Sequence, residues 1–577
     1  MNISAKLHSL IQEKNTDLDS SYLIEKNKDG IITISKNGRA VHSKYNINNE
    51  CRKSLEKINK NKNLLIIYGY GLGYILKFLL ENINDYFNQK TTQTLKIVIV
   101  IEDAKLFKYS YYNIYNTDNK NVFFIYKDDS IDYVNQLIDY KSINGINLVI
   151  LPSLTKEEKE NANNFYSEIL ADMEKEISNI FTNMYFENIW TKNIIFNSEF
   201  IKNSADISIL KNAFKMLKAL LICPGPTLKH SIEIIKKERD NFLIICVDTS
   251  YSVLCKHGIV PDFVVTVDGG FFNSLDFVYE NNSFPYLVMD MACNKIIPRN
   301  INSKSKIIRF TSTDNLGIME YIKEFASISH LTTSNTVATT MIDFAYYLGL
   351  QEVLLIGFDN SYPFYQRHIK HALSYEYMVN KINKLKTYES YYFNTIRNNT
   401  NIDNYPPTEF IFESQIEYFN DFKNKYSNMK IKRLTYEAVK IDSIDEGNIN
   451  DFQQNNAKEK ALNIANNLFK ENGSQNIKEA YINLISTLEE FRNIILNIYN
   501  NLNNNPDNID NIYTDTINII KEYQNKVSIL KTILSASIMM CERGERDNKE
   551  KLIFLLMESL RNINYFITRI SIIIKKL

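Results

Sequence analysis

Cysteine, proline, glycine, tryptophan and surplus charge are all scarce in this 577-residue chain, which has 6 Cys, 10 Pro, 16 Gly and 1 Trp. The cysteines, Cys51, Cys223, Cys246, Cys255, Cys293 and Cys541, are scattered and form no CxxC pair. That pattern argues against a disulfide framework and a structural zinc site, and it suits a reducing compartment, so a cytoplasmic location is expected. Cys223 and Cys246 stand in apolar runs, where a free thiol packs as a small hydrophobe. Net charge is zero, with 67 Lys+Arg against 67 Asp+Glu. Nucleic-acid binders usually carry a basic excess, so DNA and RNA are not expected partners. No apolar run reaches the ~20 residues that cross a bilayer, and Glu558, Arg561, Asn562, Asn564 and Arg569 interrupt the apolar tail. The opening MNISAKLHSLIQEKNTDLDSSYLI lacks the apolar core and cleavage site of a secretory signal. The paucity of Gly and Pro, beside abundant Ile, Asn, Lys and Tyr, reads as the codon bias of an AT-rich genome.

What is present is a globular composition, 44% hydrophobic, on a chain too long for one core. Apolar runs at Asn63–Tyr68, Lys96–Ile101, Val122–Tyr126 and Ile146–Leu151 alternate with helical patterns, the mark of βαβ units. The polar stretch from Thr155 to Phe200 repeats Phe165, Ile169, Met173, Ile177 and Ile180 at helical spacing. A second alternation predicts strands at Ala219–Cys223, Phe242–Val247, Phe263–Val267, Tyr286–Met289, Lys306–Phe310 and Val353–Ile356, with helices over Leu228–Lys237 and Val337–Leu348. Beyond Asp442 the signals are helical only, broken by a loop over Asn500–Asn511. The expected fold is α/β: a central Rossmann-like sheet domain (201–441), flanked by an N-terminal α/β domain with trailing helices (1–200) and a C-terminal helical domain (442–577).

Function is signalled by position. Ligands of open α/β sheets bind beyond the carboxyl ends of the strands, and here those ends are polar. Cys223 precedes Pro224-Gly225-Pro226-Thr227; Val247 precedes Asp248-Thr249-Ser250; Val267 precedes Asp268-Gly269-Gly270. Met289 precedes Asp290, Phe310 precedes Thr311-Ser312-Thr313-Asp314, and Ile356 precedes Gly357-Phe358-Asp359. One such end is ordinary turn chemistry; six in a row point to a ligand site of the nucleotide-binding type. Gly225 lets backbone approach a ligand, and the helix starting at Thr227 is expected to offer N–H groups to a phosphate. The hydroxyl-rich Thr332–Thr340, with Ser334, Asn335 and Thr336, leads into a further helix, where capping is the plain account and ligand contact the functional one. His368 and His371 follow the last strand and are candidate bases. Their spacing of one helical turn also suits a metal, though no partnering carboxylate motif accompanies it. Near the N-terminus, Gly69-Tyr70-Gly71-Leu72-Gly73 opens a helix and Glu102 ends the next strand. The pair resembles the glycine loop and ribose-binding acid of nucleotide- or S-adenosylmethionine-binding sheets. No methyl-transfer motif follows, so a degenerate or structural domain is expected there.

Taken together, Cys223-Pro-Gly-Pro-Thr-Leu228, Cys246-Val-Asp-Thr-Ser-Tyr251 and His257-Gly-Ile-Val-Pro-Asp-Phe-Val-Val-Thr-Val-Asp268 resemble the central domain of the Maf (motility-associated factor) proteins, bacterial flagellin glycosyltransferases. Asn335 to Gly349, Leu355-Ile-Gly-Phe-Asp359, His371-Ala372 and the Trp190…Asn193…Asn197 stretch continue the resemblance in order, over about residues 186–445. The resemblance implies transfer of a nonulosonic acid, of pseudaminic or legionaminic type, from its CMP-sugar to Ser/Thr of flagellin, with inversion. It further implies Gly225, Pro226 and Thr227 at the phosphate, Asp248, Thr249 and Asp268 at ribose or sugar hydroxyls, and Ser334, Asn335 and Thr336 at the base or phosphate. His371, or failing that His368, would be the base, and Asp359 would orient that His or a sugar hydroxyl. No cofactor is firmly implied, and a divalent metal, with Asp268 as a ligand, is left open. The alternatives are an ATP-using enzyme like 6-hydroxymethylpterin pyrophosphokinase, which the same central fold resembles, and a non-catalytic flagellin-binding protein.

Overall fold

The computed structural model describes residues 2–11, 18–28, 30–129, 134, 136, 143–278, 285–301, 306–332, 336–390, 406–420, 425–426, 428–469, 477–502, 509–543 and 547–577. The chain forms two compact units, unit 1 from residues 1–184 and 535–557, unit 2 from 185–534 and 558–577.

Unit 1 is built on a five-stranded parallel sheet. Its strands are β1 (Asn2–Ile3), β5 (Leu64–Tyr68), β6 (Lys96–Ile101), β7 (Val122–Tyr126) and β8 (Ile146–Ile150), in spatial order β1-β7-β6-β5-β8. An antiparallel sheet of β2 (Tyr22–Lys26), β3 (Ile32–Lys36) and β4 (Arg39–Ala40) accompanies it. β5 and β6 read as unbroken apolar runs because both faces of a parallel sheet are covered.

Unit 2 carries a nine-stranded parallel sheet of β9 (Ser204–Asp206), β10 (Lys218–Ile222), β11 (Leu243–Val247), β12 (Phe263–Thr266), β13 (Tyr286–Asp290), β14 (Ile307–Phe310), β15 (Glu352–Ile356), β16 (Lys430–Leu434) and β17 (Asp445–Glu446). Spatial order is β17-β16-β15-β10-β11-β12-β13-β14-β9. All six strands predicted for this region are present and adjacent. The register explains the shared rim: Ile222 pairs with both Cys246 and Ile356, Val247 with Val265, Thr266 with Met289, and Asp290 with Phe310. The strands therefore end level, and their following loops leave from one edge. From β10 the chain runs outward through β11 to β14, then returns to β15 on the other flank of β10, so the topological switch point lies between β10 and β15.

Helices α1 (Lys156–Asn197) and α3 (Val337–Tyr347) match the periodic patterns, α2 (Asp248–Lys256) is a helix the patterns do not single out, and the helix expected over Leu228–Lys237 is split into a 3-10 turn, Pro226–His230, and a short helix, Ile232–Lys237. The region after Asp442 is not wholly helical, since β17 adds a strand before the helices Ile477–Leu502, Ile509–Lys526, Ile529–Arg543 and Asn548–Ile574. The expected Asn500–Asn511 loop is helical up to Leu502 and again from Ile509; residues 503–508 lie outside the described residues. Tyr481 hydroxyl donates to Ser198 Oγ at 2.9 Å, Tyr321 hydroxyl to Ala480 O at 2.7 Å and Ser528 Oγ to Gly317 O at 2.9 Å, fastening the later helices of unit 2 to its sheet layer. No described helix is long and apolar enough to cross a membrane.

Candidate functional site

Two side chains of α1, one turn apart, hold the loops at one end of the unit 2 rim. Asn193 Nδ2 donates to Gly269 O (3.2 Å) and Ala292 O (3.1 Å), and Asn197 Nδ2 donates to Met291 O (3.1 Å) and Cys293 O (2.9 Å). Buried carbonyls need such partners, so the Trp190…Asn193…Asn197 pattern works as a clamp on the loops after β12 and β13. Gly269 sits close beneath the clamp: a Cβ would stand 3.0 Å from Trp190 Cδ1 and 3.1 Å from Asn193 Nδ2.

Asp359 and the Pro224–Thr227 turn meet directly. Thr227 N donates to Asp359 Oδ2 at 2.9 Å, Thr227 Oγ1 donates to Oδ1, and Gly225 N donates to Gly357 O at 2.8 Å. This corrects the expectation for the turn. Pro224 and Pro226 have no N–H and the amides of Gly225 and Thr227 are spent, so these four residues offer no backbone donor to a phosphate. Burial raises the Asp359 carboxyl above its ordinary range against the pull of Thr227. The buried Arg433 of β16 steadies the same loop, donating from Nε to Phe358 O (2.7 Å) and from Nη2 to Asp359 O (3.0 Å).

Asp248 opens α2 and is buried. Its Oδ1 accepts from Thr249 N at 2.8 Å, and its Oδ2 from Thr266 Oγ1 at 3.0 Å and Asn273 Nδ2 at 3.2 Å. Burial pushes its carboxyl up to about 6. A second buried acid, Asp276, accepts from Ser252 Oγ at 3.3 Å, and burial together with the Asp248 charge pushes it up to about 7. Buried acids raised in this way, side by side, mark functional sites more often than chance. Asp268 differs: it is exposed, and its Oδ1 accepts from Gly270 N at 2.7 Å. Asp290 is committed to the fold, its Oδ1 accepting from Ala292 N at 2.7 Å and its Oδ2 from Ser312 N at 3.0 Å.

His371 is strung between these groups. Ile369 N donates to Pro224 O at 2.8 Å, and Leu373 N donates to Asp276, so five residues bridge the turn after β10 and the buried acids. His371 sits in the left-handed region at φ 74°, and Asn360, Phe364 and Tyr365 of the same connection also have φ between 48° and 55°. Each costs about 1–3 kcal/mol, and strain of this kind collects at working sites. The acid on His371 is Glu376, with Oε1 3.2 Å from Nδ1, and not the predicted Asp359, whose carboxylate is committed to Thr227. The His257 ring lies 6.0 Å away. His368 is half-buried, and burial lowers it to about 4, which keeps it neutral.

Thr336 caps α3 reciprocally with Thr339, the plain account of that segment, while Ser334 and Asn335 lie outside the described residues. Among the described residues no three His, Cys, Asp or Glu side chains converge as a metal site. A cavity of about 470 Å³, lined by Lys211, Lys215, Tyr347 and Asn428, opens at the amino ends of β10, β15 and β16, away from the rim. Asp276, Glu376 and Arg433 escaped the sequence reading; only the five-residue spacing of Glu376 from His371 hinted at any of them.

Residues 192–364 match the family described as 6-hydroxymethylpterin diphosphokinase MptE-like. An "Uncharacterized protein" from Treponema pallidum (strain Nichols) is 29% identical over 85 residues, which are 15% of this chain and 40% of that protein's length. Among solved structures, the Maf glycosyltransferase of Magnetospirillum magneticum AMB-1 superposes with a TM-score of 0.57 over 99% of this chain and 94% of its own, at 13% identity. At that identity the likeness is one of fold, and the α/β architecture expected from the motifs is the one shared with that protein.

Proposed function

We propose that the chain is a glycosyltransferase that moves a nonulosonic acid from a CMP-sugar to Ser or Thr hydroxyls of flagellin. The observation that carries this reading is His371, backed by Glu376 and held on a strained bridge between the Gly225 turn and the Asp248–Asp276 pair. The shared fold with a Maf glycosyltransferase over 99% of the chain supports it. In this reading the acceptor oxygen attacks the anomeric carbon and the bond from that carbon to the phosphate oxygen breaks. The electron pair leaves with CMP, and the acceptor proton goes to His371 Nε2. Glu376 on Nδ1 stabilises the imidazolium that forms. Asp268 has room to receive ribose or sugar hydroxyls, whereas Asp248 supports the rim from beneath, its oxygens already bonded. Thr336 would offer its hydroxyl to the phosphate, whereas the Thr249 hydroxyl is already taken by the carboxylates of Asp248 and Asp276. His368, hard to charge, is the poorer base. Attack opposite the leaving phosphate inverts the anomeric centre. The helices after Ile477 would receive the acceptor protein, and the whole reaction would take place in the cytoplasm.

The match of residues 192–364 to the pterin diphosphokinase-like family favours a second reading, an ATP–Mg²⁺ enzyme. Thermal unfolding with CMP and with ATP–Mg²⁺ separates the two. A raised midpoint with CMP alone is expected; a response to ATP–Mg²⁺ with none to cytidine nucleotides favours the kinase. A non-catalytic flagellin-binding protein would leave flagellin mass unchanged and bind it equally well as the His371→Ala variant.

A further inference from the structure

Unit 1 contains a cavity of about 420 Å³, within the ~300–1,000 Å³ usual for small-ligand sites. It opens at the carboxyl ends of β5, β6 and β8. β5 is followed in space by β6 and β7 on one flank and by β8 on the other, so the cavity occupies that sheet's own switch point. Gly69 (φ 91°) and Gly71 (φ 56°) form its wall, and a Cβ on Gly69 would stand 2.8 Å from Leu151 Cβ.

The telling group is Glu102, at the end of β6. Its side chain is only 7% exposed, Oε2 lies 3.5 Å from Lys127 Nζ, the Tyr68 hydroxyl also donates to the carboxylate, and Oε1 is buried with no donor of its own within hydrogen-bond distance. A buried carboxylate oxygen without a donor is costly and asks for one. The next residue, Asp103, needs nothing more: Oδ1 accepts from Leu106 N at 3.0 Å, and Oδ2 from Tyr22 hydroxyl at 2.6 Å and Lys36 Nζ at 2.5 Å. We propose that this cavity binds a ribonucleoside, with the vicinal diol of its ribose donating to Glu102 and no phosphate at the glycine turn. A diol brings two O–H donors to one carboxylate, the pairing this strand end uses in dinucleotide-binding sheets.

The glycine turn has few donors to spare for a phosphate: Gly69 N donates to Val100 O at 2.9 Å and Gly73 N to Tyr70 O at 3.0 Å. Leu72 N, at the glycine turn, donates to His42 Nε2 at 3.0 Å, and His42 Nδ1 lies 2.8 Å from Glu50 Oε1. Both cations of the lining are engaged, Lys36 with Asp103 and Arg39 Nη2 with Leu154 O at 3.0 Å. A nucleoside, neutral or carrying a zwitterionic tail, fits this wall better than a di- or triphosphate.

The test is calorimetric titration of the full chain with adenosine, S-adenosylhomocysteine, 2′-deoxyadenosine, ATP and NAD. Adenosine or S-adenosylhomocysteine is expected to bind. Affinity should fall at least tenfold in Glu102→Gln and at least tenfold when the 2′-hydroxyl is missing, with the two losses not additive. ATP and NAD should bind at least tenfold more weakly than adenosine. Ser153→Trp, which fills the cavity, should abolish binding with the unfolding midpoint retained. Absence of binding by both phosphate-free ligands, or binding indifferent to Glu102→Gln and Ser153→Trp, overturns the site. Tighter binding of NAD or ATP overturns the exclusion of phosphate. Cytidine nucleotide binding in unit 2 should be untouched by Glu102→Gln, so this proposal and the transferase reading fail separately.

Discussion

Replacing Asp276 by Asn should make the protein more stable at pH 8 and less stable at pH 4.5. Burial and the neighbouring Asp248 raise the Asp276 carboxyl from 3.8 to about 7. Each unit of that rise corresponds to about 1.36 kcal/mol. The folded state therefore binds this proton more tightly than the unfolded chain, and stability declines as pH climbs from about 4 to 7. At pH 8 the charged Asp276 costs the native state up to about 4 kcal/mol, a cost that vanishes near pH 4. Asn removes the charge but weakens bonds with Ser252, Thr249 and the Leu373 amide, which are worth roughly 1–2 kcal/mol together. About 1 kcal/mol of the charging cost remains at pH 4.5, so the net expectation is a gain of about 2–3 kcal/mol at pH 8 and a loss of up to about 1 kcal/mol at pH 4.5. Urea unfolding of both proteins at the two pH values reads this directly. Parallel stability curves, or a variant weaker at both pH values, would refute the claim that a buried acid pair underlies the rim.

Three further substitutions probe the loops. Gly225→Ala should cost about 1–3 kcal/mol and abolish the CMP-induced shift in unfolding midpoint, because a Cβ would overlap Gly357 O and stand 2.5 Å from Asp359 Oδ2. Asn197→Ala strips two carbonyls, those of Met291 and Cys293, of their shared donor; a loss of about 1–3 kcal/mol is expected in urea unfolding. Thr227→Val leaves a buried Asp359 oxygen without its hydroxyl donor, so a similar loss is expected, about 1–3 kcal/mol, and it should grow as pH rises and Asp359 ionises.

The sequence made the interior of the fold readable and its margins obscure. β10 and β11 carry unbroken apolar runs because helices cover both faces, which is why Ala219–Cys223 and Phe242–Val247 stood out within one residue of their true ends. β16, with the sequence Lys-Ile-Lys-Arg-Leu, alternates charges at the sheet margin and looks like loop. β9 and β17 have three and two residues, too few for any period. The polar strand ends were legible because strands of one register finish level, a geometric consequence of parallel pairing. How those polar groups are used was not legible. Asp359 and Thr227 were expected to face a ligand and instead bond each other, and Asp276 and Glu376 lie on segments with no strand or motif to mark them. A pairing such as that of Thr227 with Asp359, 132 residues apart, leaves no local trace in composition or spacing.

The mass of flagellin from cells producing this chain tests the proposed transfer most directly. Co-expression with the wild-type protein and a supply of CMP-nonulosonate should add whole nonulosonic acid increments to flagellin, and co-expression with a folded His371→Ala variant should add none. Unmodified flagellin in both, or full modification by the variant, would contradict it.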